Sequence, residues 1–186
     1  MRHVVVLLHG YDYDPADLPG WIEDFILHSQ THVQDLILYP RIYGRYSKRW
    51  SWLFGASAIK KQVEFFKYLI EQVSDEPTKV SVIANGLGAD IVVEALKEVK
   101  LHNLVLVNPS SILAIIPVHS NFNFAAVFWS SNFFHGETNP LNGEPTSTSS
   151  VRFIDKKWYN ENEFTEDLDS VRISELGKEF LNVLRK

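Results

Sequence analysis

The residues able to do chemistry fall into a few short stretches. In one of them Arg41, Tyr43, Arg45, Tyr46, Lys48, Arg49, Trp50 and Trp52 interleave basic and aromatic side chains. Guanidinium and ammonium groups among rings suit stacking on bases or gripping phosphates. The same composition suits a protein-interface hot spot, or a packed loop whose rings cover a sheet edge. His119 and His135 stand in loop-like contexts, either as solvated imidazoles or as relocated general bases. Ser110 and Ser111 follow Asn108-Pro109, where serines ordinarily form turns or cap helices. There is no cysteine, so disulfides, thiolate catalysis and cysteine-ligated metals are excluded. No spacing of histidines and carboxylates matches a metal site, and no motif asks for a cofactor.

The elements that must position these residues alternate between two hydrophobic periods. Val4 to Leu8 is a continuous apolar run closed by Gly10, as expected of a strand buried on both faces. Residues 19–30 predict a helix that opens at Pro19 and carries Trp21, Ile22, Phe25 and Ile26 on one face. Val33 to Tyr39 predicts a second strand, stopped by Pro40, and residues 41–54 read as a loop. Ile59, Val63, Phe66 and Ile70 recur at helical spacing, with Pro77 beyond the end. Further strands are expected over Lys79–Ala84, Leu104–Val107, Phe124–Trp129 and Val151–Ile154. Helices are expected at about 87–99 and 173–185. Residues 132–150, rich in Gly, Pro, Asn, Ser and Thr, read as a long exposed loop. Strands alternating with helices imply a mostly parallel sheet covered on both faces, in a single domain spanning 1–186.

Two features narrow this α/β pattern. The first strand runs into His9-Gly10-Tyr11, and the third runs through Ala84-Asn85-Gly86-Leu87-Gly88 into a helix. The second feature has the form A-x-G-x-G, with small residues where a helix must pack closely on its strand. With these motifs in this order, the sequence resembles the α/β-hydrolase superfamily, and within it the minimal bacterial lipases and small serine esterases. The resemblance spans nearly the whole chain. It implies a minimal α/β-hydrolase fold with a six-stranded, mostly parallel sheet and helices on both faces. The first two strands should lie side by side at one end and the last strand at the other edge. Gly86 then occupies the nucleophile position of the elbow. Gly10, Tyr11 and Leu87 lie where the oxyanion hole is built, its donors being the amides of Tyr11 and Leu87. His9 is then either a structural residue of its turn or a ligand contact.

The same resemblance exposes what is missing. The family uses Ser, then Asp or Glu, then His in chain order. Glycine replaces the serine. The acid region after the fifth strand offers Ser131 and Asn132, with no carboxylate before Glu137. The base region after the sixth offers Trp158 and Tyr159, and no histidine follows His135. A serine needs a base within hydrogen-bond reach to attack at neutral pH. Exchange of one serine would explain Gly86 alone, so the absence of acid and base favours loss of the whole set. Glycine is also an easy replacement, because it adopts strained elbow angles freely. Trp129, Phe133, Phe134, Trp158 and Tyr159 would fill the vacated pocket with apolar bulk.

The leading expectation is therefore a catalytically inactive α/β-hydrolase homologue that binds a protein or small ligand. The alternatives are a serine-hydrolase-like esterase or lipase, inactivated at Gly86 or using unconventional residues, and an anion or nucleic-acid binder acting through residues 41–52. The net charge of −5 weighs against bulk nucleic-acid binding. The apolar run at Val4–Leu8 is too short for a signal peptide, and no stretch approaches the ~20 apolar residues of a membrane span. The chain is read as soluble and, by default, cytoplasmic. At 45% hydrophobic residues it can bury a sizeable core.

Overall fold

A computed structural model describes residues 2–8, 35–38, 48–75, 77–107, 121–129, 148–155 and 178–185. The predicted helix over 19–30 and the loop over 132–150 up to residue 147 lie outside these residues. Strands β1 (His3–Leu8), β2 (Asp35–Leu38), β3 (Lys79–Asn85), β4 (Asn103–Val107), β5 (Phe124–Trp129) and β6 (Val151–Asp155) form one sheet in the order β2-β1-β3-β4-β5-β6. Every pairing is parallel. The first two strands are neighbours at one end, and the last strand is at the opposite edge, as expected. The strands are apolar almost throughout because such a sheet has no solvent-facing side.

Two helices are described in full: α1 (Lys48–Val73) and α2 (Leu87–Ala95). They pack on the sheet face formed by Val4, Val6, Leu8, Val80, Val82, Ala84, Leu104, Leu106, Ala125, Val127 and Val151. Val63, Phe66 and Ile70 of α1 and Ile91, Val92 and Ala95 of α2 join that core. A closing helical segment, 178–184, lies against the other face, where Phe180 meets Phe128 edge-on at 5.2 Å. Burying side chains of this size contributes about 1.5–3 kcal/mol each. No described helix is long and apolar enough to cross a membrane.

The structure corrects one boundary that bears on function. Helix α1 begins at Lys48, so Lys48, Arg49, Trp50 and Trp52 are helical residues, not part of a binding loop. The first turn carries no acidic residue, so the usual start signal of a helix is missing. Trp50, Trp52 and Gly55 also lower local helix propensity. Twenty-six residues of continuous helix, packed on the sheet from Val63 onward, override those local costs. Arg41, Tyr43, Arg45 and Tyr46 lie outside the described residues. Helix α2 is shorter than expected. After Ala95 the chain tightens, with Lys97 N–H donating to Glu94 and Glu98 N–H to Ala95, three residues back in each case.

Candidate functional site at the carboxyl edge of the sheet

The chain runs from β1 outward to β2 and then returns to place β3 on the other side of β1. The strand order therefore reverses between β1 and β3. In open α/β sheets a crevice forms at such a switch point, outside the carboxyl ends of the strands. Here those ends are Leu8 and Asn85, with Leu8 level with Ala84 and Val107 level with Asn85. The next residues in sequence are His9 after β1 and Gly86 after β3.

Gly86 is the whole of the turn between β3 and α2. Its backbone stands at φ 52° and ψ −119°, angles that cost a residue with a Cβ on the order of 1–3 kcal/mol. Two hydrogen bonds hold it there. Its N–H donates to the Val107 carbonyl at 2.8 Å, and its carbonyl accepts from the Asp90 N–H at 3.2 Å. The flanking small residues are buried: Ala84 on β3, and Gly88 and Ala89 in the first turn of α2. Any larger side chain at residue 88 would push the helix off its strand. The helix start therefore presents the amides of Leu87, Gly88 and Ala89, which have no acceptor within the helix, at the end of the central strand. Gly86, the N-cap residue, has no side chain to cap them. Asp90, in the same turn, places a carboxylate where the helix dipole favours one.

This edge can orient a carbonyl or an anion through backbone donors, but at residue 86 it offers no nucleophile. The other expected participants are distributed as follows. Leu87 is the first residue of α2. Trp129 and Asp155 end β5 and β6 level with each other, so residue 155 closes the last strand at this edge of the sheet. Sequence reasoning treated Asp155 only as the start of the base region. Its position as the last residue of a strand was the signal that could have singled it out. Gly10, Tyr11, His119, Ser131, Asn132, His135, Trp158 and Tyr159 lie outside the described residues, as do His9, Ser110 and Ser111. Among the described residues, no group of three or more His, Asp or Glu side chains could hold a metal ion.

A second polar cluster lies near the amino ends of the strands, on the face covered by the closing helix. His3 Nε2 is 2.9 Å from Ser81 Oγ, which also accepts the Asn103 N–H at 3.3 Å. Asn103 Nδ2 donates to the carbonyls of Val183 and Leu184 at 2.9 and 3.4 Å. His102 packs edge-on to His3 at 6.0 Å, and its Nδ1 is 2.7 Å from Asn123 Nδ2. Burial pushes both imidazoles below their ordinary pKa of 6.5, and the nearby Lys79 ammonium adds to the shift. Sequence reasoning missed this cluster. Its signal was a polar residue in the interior of one apolar strand, Ser81, and another at the start of the next, Asn103.

No protein-family profile and no curated protein matches the sequence. Solved structures do. A predicted CIB-like hydrolase from Thermoplasma acidophilum matches 99% of this chain and 86% of its own, at TM-score 0.65 and 14% identity. The ydeN gene product of B. subtilis matches 98% and 100%, at TM-score 0.54 and 12% identity. Phospholipase PlaB from Legionella pneumophila, in complex with thio-NAD, matches 69% of this chain at TM-score 0.46 and 11% identity. The chain covers only 38% of that protein's length. At these identities the two closer likenesses concern architecture alone. The protein has the parallel sheet and helices of an α/β-hydrolase-type fold, with glycine at the turn from its central strand into the following helix.

Proposed function

We propose that the protein is a non-hydrolytic member of this fold that binds a ligand or a protein partner at the carboxyl edge of its sheet. The observation that carries the proposal is Gly86 at φ 52° and ψ −119°. It has the sharp strand-to-helix turn of a nucleophile elbow, and no side-chain atom with which to attack. The absence of any histidine after His135 adds to it, since an introduced hydroxyl would lack the base expected after β6. Backbone amides at the start of α2 remain suited to a carbonyl or carboxylate oxygen, which gives the edge a binding role without turnover.

Incubation with a fluorophosphonate probe and with p-nitrophenyl esters tests the proposal. Expected are no covalent adduct and no turnover above a heat-denatured control. Vestigial donors alone leave about 10³–10⁴-fold catalysis over water, far below a competent enzyme. Turnover of about 1 per second or faster that survives repurification overturns it. The hydrolase among the similar structures favours one second reading, an esterase with a relocated base. Loss of such turnover on replacing His119 or His135 would identify it.

A further inference from the structure

Ser81 sits at a junction. Its hydroxyl meets His3 on one side and the Asn103 N–H on the other, and the Asn103 side chain caps the last turn of the closing helix. We propose that this corner is an acid-sensitive latch on the closing helix: proton uptake by His3 reverses its hydrogen bond to Ser81 and, through Ser81 and Asn103, releases the cap.

The argument follows the hydrogens. A hydroxyl has one hydrogen and two lone pairs. One lone pair of Ser81 takes the Asn103 N–H. The latch requires the neutral His3 tautomer with its proton on Nδ1, in which the Ser81 O–H donates to Nε2. A protonated imidazole carries N–H on both nitrogens and can only donate. Both lone pairs of Ser81 are then occupied, and its hydrogen must turn elsewhere. Ser81 is fully buried, so water does not receive it. A buried donor left unpaired is costly. Among the described residues, Asn103 Oδ1 is a buried acceptor without a partner. If the amide turns to meet the hydroxyl, Nδ2 is withdrawn from the Val183 and Leu184 carbonyls. Those are last-turn carbonyls, which have no partner within the helix. Burial lowers both imidazole pKa values most, and positive charge adds to it, from Lys79 on β3 and, for His102, also from His3 on β1. Each opposes the added proton, so the corner takes it up only in acid and under strain.

Hydrogen exchange on the full chain tests the latch, at about pH 7.5 and about pH 5, which bracket imidazole titration. Amides 181–185 are compared with those of Ile83 and Val105 after correction for intrinsic rates. The relative protection of the closing helix should fall about fivefold in acid, the effect of losing one typical hydrogen bond. A constant ratio overturns the latch. In Ser81→Ala the imidazoles still titrate but the junction is gone, so the ratio should no longer depend on pH. An acid response that persists in Ser81→Ala, or in His3→Gln, overturns it too. Should either variant fail to fold, the wild-type protein decides. The midpoint of the change must coincide with that of the His3 C2–H resonance, and a different midpoint overturns the proposal.

Discussion

The two ends of β3 hold complementary halves of a nucleophilic site. At the carboxyl end, Gly86 has the backbone of a half-buried elbow, a helix start behind it, and no reactive atom. Near the amino end, Ser81 and His3 stand 2.9 Å apart, as a hydroxyl and its base would, yet the serine is fully buried. Its hydroxyl is also tied to the Asn103 N–H. The difference teaches that a serine–histidine contact is not in itself a site. Chemistry needs the pair at the edge where strands end and a crevice opens, with donors aimed at the reacting atom. The amino-end pair instead uses the same atoms to fasten a helix.

The strongest way to break the comparison is at the fastened end. Asn103→Asp keeps the shape but replaces the Nδ2 donor by an oxygen facing the carbonyls of Val183 and Leu184. An unpaired carboxylate at a fully buried position is expected to cost about 3–5 kcal/mol. Chemical denaturation should show that loss at neutral pH, with partial recovery in acid as the carboxylate is neutralised. A loss below about 1 kcal/mol would mean that the corner does not hold the closing helix.

A smaller effect is expected at the elbow. Gly86→Ser and Gly86→Ala should each cost about 1–3 kcal/mol, because both force a Cβ into positive φ. In a chain of this size the melting temperature should drop by about 2–12 °C. Neither variant should gain esterase activity, since the serine would find no base. Probe labelling of Gly86→Ser would show that a base reaches the edge. It would shift the comparison from a lost site to a site lacking one residue.

Acid should separate the two ends further. The folded pKa values of His3 and His102 lie below 6.5, so the folded protein binds fewer protons than the unfolded chain between those values and 6.5. Stability is therefore retained above 6.5. It is lost as pH falls through 6.5, and the loss is complete below the lowered folded values. His3→Gln and His102→Gln should each flatten this part of the stability–pH curve. Gly86→Ala should leave its shape unchanged, because no described residue of that turn carries an imidazole.

What could be read from the sequence follows from how local each feature is. The β3–Gly86–α2 unit is continuous in the chain, so an apolar run, small flanking residues and a helix period were enough to locate it. The outward and inward edges of the sheet followed from resemblance plus the handedness of crossovers. The start of α1 at Lys48 was hidden because aromatic and basic residues carry weak local signals, while packing further along the helix decides the outcome. The His3–Ser81–Asn103 corner was hidden for another reason. Its members come from three strands and meet only when the register is known, with His3 level with Lys79 and the start of β4 beside β3. Ser81 within an apolar strand and Asn103 at the start of another were its visible traces.

The smallest expected effect concerns the link between α1 and the turn that follows α2. Lys67 donates to Glu98 at 2.6 Å and to Glu64 at 3.0 Å, and its side chain is only 14% exposed. Those hydrogen bonds raise its pKa above 10.5, the bond to Glu98 most of all. The stabilisation is therefore fully present below pH 10.5 and disappears as pH rises through the raised value. Both partner carboxylates are well exposed, so each ion pair is of the surface kind that contributes about 0.2–1 kcal/mol. Lys67→Met keeps most of the apolar stem against the helices and removes only the charge. It should lower stability by less than about 1 kcal/mol, with the difference from wild type shrinking in high salt. Neither the pH dependence of the closing helix's protection nor the behaviour toward p-nitrophenyl esters should differ from wild type. A loss of several kcal/mol would show instead that Lys67 fixes α2 on the sheet. In that case the geometry of Gly86 would depend on the ends of its helix as well as on the turn itself.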